Sequence, residues 1–248
     1  ARDLGFSRIV ANSIDASSDR DFAITFVYAC AMAMMHLSRL AEDLIILCGD
    51  EHRFFELSDA ISTGSSMMPQ KKNPDPLELV RGKTGRSIGQ LTALLVTLKG
   101  LPSGYNKDLQ EDKHAVFDAE DTLSGCLAVA KAVVEGLSLN RTQTEAAASG
   151  LLLATDVADY LVNRGVPFRR AHEIVGALVR KLHAEHRDFA SLRQDEWAAA
   201  SELFGTDIGD KVAPRASVDA KRTPQSTSPS AVADALAEVG RWLASVAG

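Results

Sequence analysis

Apolar residues recur at steps of three and four over long stretches of the chain, and no segment alternates with period two over a useful length. The pattern predicts an all-α protein, a long-helix bundle followed by a smaller helical C-terminal domain. A first long helix is expected from about Ser18 to Cys48, with Ser18 or Asp19 as its cap and Gly49 after its end. Its first half is apolar almost all round, which predicts full burial in the middle of a bundle. A polar loop from Ser62 to Pro74 follows, carrying Gly64 and two prolines. A second long helix starts near Pro76, a residue suited to a first helical turn, and Gly100 ends it. Leu77, Val80, Thr84, Ile88, Leu91, Leu95 and Leu98 give it a core stripe. Gly82, Gly85 and Gly89 lie along the same helix, each costing about 1 kcal/mol of helix propensity. Close approach of another helix or subunit would justify them. A third long helix is expected from about Gln110 to Glu135, with a stripe from Val116 through Ala119, Leu123, Cys126, Ala130 and Val133 to Leu137.

Beyond about Asn140 the elements shorten. Short helices are expected from Thr155 or Asp156 to Gly165, from Phe168 to His186 and from Asp195 to Phe204. A turn-rich stretch, Asp207 to Thr227, leads to Ser228-Pro229, which opens a final helix with Val232, Leu236, Val239 and Leu243 on one face. The expected domains are 1–146, a central bundle, and 147–248, a small helical domain.

Composition narrows the classes. The 248 residues carry a formal net charge of −6, with 46% hydrophobic and 24% charged residues. These values exclude a disordered tail and a basic nucleic-acid coat protein. The longest apolar run, Phe22 to Met35, is too short for a membrane span, so neither a membrane nor a nucleic acid is an expected partner. Cys30, Cys48 and Cys126 are too few and scattered for a disulfide framework or a zinc site. No signal-like stretch opens the chain, and a reducing cytoplasm is the expected compartment.

Chemistry concentrates in the Ser62–Pro74 loop. Its segment GSSMMPQKKNP feeds a helix whose first N–H groups favour an anion. Lys71, Lys72, Arg81, Lys83 and Arg86 are offset only by Asp75 and Glu78, a local charge of about +3 in an acidic chain. A glycine-hinged loop with hydroxyls, a lysine and an amide is suited to gripping a carboxylate. On composition alone such a segment is more often a solvated surface loop. The histidines read blandly: His36 as a core residue, His114 as a surface residue, and His52, His172, His183 and His186 without partner spacing. The Met32-Met34-Met35 and Met67-Met68 clusters read as packing, and Arg169-Arg170 as a solvated pair.

Spacing changes the picture. GSSMMPQKKNP closely resembles the GSS-x-MP-x-K-x-NP signature of the fumarase/aspartase superfamily, lyases that eliminate across a Cα–Cβ bond to release fumarate. Its QKKNPD ending resembles the argininosuccinate lyase branch. Asn12 to Ala16 with Ser18 to Phe22 resembles the family's NSxDA…RDF element, Tyr105 to Lys113 its YNxDLQxDK element, and ATDVADYLVNRGV its C-terminal domain. Three matches in the expected order are far more specific than a lone motif.

The resemblance implies cleavage of argininosuccinate to arginine and fumarate, with no metal or organic cofactor. It implies acid/base work by Ser65, and stabilisation of a dianionic aci-carboxylate by Lys71 and Asn73. Glu78 would pair with a catalytic histidine, Tyr105, Gln110 and Lys113 would bind substrate, and Arg20 would help position the serine loop. Ser66, Gln70 and Lys72 would only shape the loop. The resemblance further implies a homotetramer whose active sites draw on several subunits, and a chain that is the C-terminal portion of the enzyme. The N-terminal region, with the catalytic histidine and two bundle helices, would then be absent or supplied as a separate fragment. Two other readings remain open: another fumarate-releasing lyase of the superfamily, or a non-catalytic lens protein like the delta crystallins.

Overall fold

The computed structural model describes residues 1–64, 67–68, 72–148 and 150–246. The chain divides into two compact units, Ala1–Asn140 and Arg141–Gly248.

The first unit opens with α1 (Ser13–Ser18) and α2 (Asp21–Cys48). The sequence suggests one helix here, but Asn12 caps α1 by accepting from the N–H groups of Ile14 and Asp15. The chain then turns at Asp19, whose carboxylate accepts from the Asp21 N–H at 2.6 Å and restarts the helix. After α2 come β1 (Phe55–Leu57), β2 (Thr63–Gly64) and β3 (Lys72–Asn73). Then follow α3 (Asp75–Leu98), a 3-10 segment Lys107–Glu111, α4 (Asp112–Glu135) and β4 (Leu137–Leu139). β1 pairs antiparallel with β4, and β2 with β3. No strand was expected, because segments of two or three residues are too short to display alternation. Leu137, expected on the α4 stripe, lies in β4.

α2, α3 and α4 pack on one another, with α3 antiparallel to both neighbours. Toward the start of α2, Ala23, Val27 and Cys30 meet Leu94, Ala115 and Ala119. Toward its end, Met34, Ala41 and Leu44 meet Leu77, Val80, Cys126 and Val133. Arg81 pairs with Glu42 across α2 and α3, and Arg86 with Asp118 across α3 and α4. The inward face of α3 is rotated from the expected stripe. Leu77, Val80 and Thr84 are buried as expected, but Ser87 and Leu94 are buried where Ile88 and Leu95 were expected, and those two face outward.

α2 is 28 residues long and, by length and composition alone, apolar enough to cross a membrane. Its all-round burial is not seen: Phe22, Phe26, Tyr28, Met32, Leu40 and Ile46 are exposed. Two neighbouring helices cover only one face of it. His36, expected in the core, is exposed on the outward face, and Met67, expected to pack, is also exposed. The glycine face of α3 is open too. A Cβ at Gly82, Gly85 or Gly89 would meet nothing within 4 Å among the described residues.

The second unit contains α5 (Arg141–Ala147), α6 (Ala154–Val162), α7 (Phe168–Ala184), α8 (Gln194–Ala200), α9 (Ile208–Lys211), α10 (Pro214–Asp219) and α11 (Pro229–Val246). α9 and α10 are two short helices inside the stretch expected to be turn-rich. The core gathers Val157, Leu161, Val175, Leu178 and Leu182 around an aromatic group. In it Trp197 stacks on Phe189 at 5.8 Å and meets Phe204 edge-on at 4.9 Å. Asp156 does not cap α6. Its carboxylate accepts from Ser217 Oγ at 2.8 Å and Lys221 Nζ at 3.0 Å, holding the segment around α10 in place. Ser228 opens α11 as expected, accepting from the Ala231 N–H. The apolar face of α11, Val232, Leu236, Val239 and Leu243, is exposed.

Candidate active site

On either side of the serine loop in sequence, β2 and β3 pair as a short stem. Thr63 faces Asn73 and Gly64 faces Lys72 in the β2–β3 ladder. Ser65 and Lys71, with Ser66 and Gln70, lie outside the described residues. The stem is tied down on both strands. Thr63 Oγ1 donates to the Asp75 carboxylate. Lys72 Nζ lies 2.7 Å from Asp59 Oδ1 and 3.2 Å from Glu56 Oε1. These bonds raise the Lys72 ammonium above its ordinary pKa and lower the Asp59 carboxyl. Lys72 is therefore engaged at the base of the loop. Asn73 is half-buried, and Pro74 accepts from the N–H groups of Leu77 and Glu78 to start α3. Glu78 is exposed on the first turn of that helix.

The second group sits on the 3-10 segment and the start of α4. Gly104, at φ +101°, takes a backbone conformation that disfavours side chains and turns the chain there. Asn106 Nδ2 donates to the Gly104 carbonyl at 3.1 Å and fastens that turn. Tyr105 is exposed, and Gln110 Nε2 donates to its hydroxyl at 3.1 Å. Lys113 Nζ donates to Asp112 Oδ1 at 3.1 Å. Arg20 Nε donates to the other oxygen of Asp112 at 2.5 Å, while Arg20 Nη1 donates to the Asp19 carbonyl at 2.6 Å. Asp112 is 7% exposed. Burial raises its pKa, but the bonds and charges of Arg20 and Lys113 outweigh that, holding the carboxyl below the ordinary range. Sequence reasoning missed Asp112. Its only sign is its place between Gln110 and Lys113 in the YNKDLQEDK motif.

The structure thus joins Arg20 with Lys113, and Tyr105 with Gln110, but separates both pairs from the serine-loop stem, Asn73 and Glu78. The stem lies at the N-terminal end of α3, while Arg20 and Lys113 lie beside its C-terminal end. A helix of 24 residues spans about 35 Å. Arg20 of one copy is therefore far from the serine-loop stem of the same copy. Among the described residues no group of three or more His, Cys, Asp or Glu is arranged to hold a metal ion.

A family model described as "Lyase" matches residues 1–89, and one described as "Argininosuccinate lyase C-terminal" matches residues 151–219. The chain is 51% identical, over 99% of its length, to a curated protein named argininosuccinate lyase from Moorella thermoacetica, and covers 53% of that protein. It is 48% identical over 98% of its length to a protein of the same name from a Sulfurihydrogenibium species, of which it covers 52%. Among solved structures, EDDS lyase in complex with formate superposes with a TM-score of 0.83 and 28% identity, over 98% of this chain and 52% of that one. A class II fumarase from Schistosoma mansoni shares the fold at a TM-score of 0.67 and 19% identity, over 84% of this chain and 41% of that one. The chain spans about half the length of the curated relatives it matches, and along nearly its whole length it is similar to argininosuccinate lyases.

Proposed function

We propose that this chain forms about half of an enzyme that cleaves argininosuccinate to arginine and fumarate. The observation that carries this reading is the 51% identity over 99% of the chain to a protein named argininosuccinate lyase, with all three motifs inside the matched length. The reaction removes a proton beside a carboxylate and expels a guanidinium nitrogen. Cationic and N–H groups around that carboxylate spread the charge that develops. Lys71 and Asn73 take this role, and Ser65 takes or gives a proton. Glu78, exposed on the first turn of α3, is placed to orient a histidine from a neighbouring segment. Tyr105, Gln110, Lys113 and Arg20 bind the remainder of the substrate and its surroundings.

The active unit is a homotetramer in which different copies bring the two separated groups together. Two features support this: the distance between the groups within one copy, and the open apolar and glycine faces of α2 and α3. The buried Cys30 and Cys126, whose thiol pKa values are raised by burial, suit a reducing cytoplasm. Purified alone, the 248-residue chain releases no fumarate from argininosuccinate, whereas the full-length enzyme does so at a rate followed by fumarate absorbance. Fumarate from the chain alone overturns the reading that it is only part of the enzyme. Likeness to EDDS lyase, a variant of which is solved with bound fumarate, favours one alternative, a different fumarate-releasing substrate. A full-length enzyme that ignores argininosuccinate but releases fumarate from another amine adduct selects that alternative.

A further inference from the structure

Asp112 opens α4 with its carboxylate turned inward, its side chain 10% exposed. A carboxylate withdrawn from water is costly unless it is paired. Here both oxygens are used, Oδ2 by Arg20 and Oδ1 by Lys113. The Arg20 side chain is itself 14% exposed, and its Nη1 is occupied by the carbonyls of Asp19 and Ser17. The guanidinium is therefore held on two sides, and the start of α2 is bound to the start of α4. Lys113 differs: its side chain is 65% exposed and its ammonium leans back onto the residue immediately before it. Neighbours in sequence do not face each other on a helix, so helix geometry alone does not produce this contact. A pair serving only to join α2 and α4 needs Arg20 and Asp112 and has no use for the lysine.

We propose that Asp112 is a positioning residue: with one oxygen anchored on the Arg20 guanidinium, it holds the Lys113 ammonium on the other and fixes where that lysine meets a carboxylate of the substrate. The inference rests on the reading of Lys113 as a substrate-binding residue and adds the group that sets its geometry. Asp112 stays ionised and touches no reacting atom. The lysine keeps most of its surface open for a second anion, so it is oriented without being neutralised.

The test uses the full-length enzyme. The parent is first assayed against argininosuccinate and a panel of fumarate-releasing amine adducts, and whichever substrate turns over carries the rest. Failure with argininosuccinate alone defeats the substrate assignment and leaves the positioning inference under test, whereas no fumarate from any substrate defeats both. Asp112→Asn is expected to raise KM about tenfold with a smaller loss in kcat. In a Lys113→Met background the same change should cost less than about threefold in kcat/KM, because the lysine it positions is gone. An equal loss in both backgrounds, or a lower melting temperature with KM unchanged, overturns the proposal. Should Asp112→Asn fail to fold, Asp112→Glu decides. It keeps the charge and the Arg20 pair but shifts the oxygens by one methylene, and is expected to raise KM about threefold or more. An unchanged KM in that variant overturns the proposal as well.

Discussion

Glu196 shows what one carboxylate does in the second unit. Arg187 grips both of its oxygens at 2.9 Å, and the Arg193 N–H donates to it at 3.1 Å, closing the first turn of α8. The Arg187 bonds, then the backbone bond, push its pKa down to about 2 from an ordinary 4.5. A carboxyl depressed on folding stabilises the native state above its unfolded pKa, and that contribution disappears as pH falls through the folded value. Glu196→Gln should therefore melt lower than the parent at neutral pH, with the gap closing between about pH 4.5 and 2 in thermal scans. A gap independent of pH contradicts the assignment. Trp197, 3% exposed between Phe189 and Phe204, is a simpler case. Trp197→Ala should cost about 3–5 kcal/mol in denaturant unfolding of the second unit. Residues of these two kinds differ in how far the sequence reveals them. Trp197 falls on an expected helix, whereas Asp112 looks like any other acid in a charged segment. Its burial depends on Arg20, 92 positions earlier in the chain.

The elements repeat that contrast. The long helices follow from steps of three and four, and their ends from Gly49, Pro76 and Gly100. The inward face of α3 was not legible, because the apolar stripe through Ile88 and Leu95 competes with a buried line through Ser87 and Leu94. Periodicity cannot tell which apolar face meets its own chain and which awaits another. Gly85 separates the two roles. With open space around it, Gly85→Ala should raise the stability of the isolated chain by about 1 kcal/mol through helix propensity. In the assembled enzyme the same methyl should weaken subunit association, seen as smaller species in sedimentation. A tetramer of unchanged size would remove the glycine face from the interface. The short strands were hidden for another reason. The pairing of Phe55 with Leu139 is set by distant chain closure, not by any local pattern.

At the scale of the whole molecule, the motifs gave the candidate residues but not their distribution. Ser65 and Lys113 belong to one catalytic set by resemblance, yet within one copy the loop stem and Lys113 lie at opposite ends of the bundle. Linear motifs carry no information about which copy supplies each residue. If sites are built across copies, mixing Ser65→Ala with Lys113→Ala enzyme under subunit exchange should recover roughly a quarter of the parent rate. Each variant alone should give almost none, and no recovery on mixing would mean that each site is built within one copy. The uncovered faces of α2 and α3 have a thermodynamic counterpart. A bundle that finishes its core on other copies gains stability by mass action, whereas a unit closed around Trp197 does not. Calorimetry over a dilution series should therefore resolve two transitions. The bundle's should slide to lower temperature as protein becomes scarce, and that of the aromatic core should stay where it is.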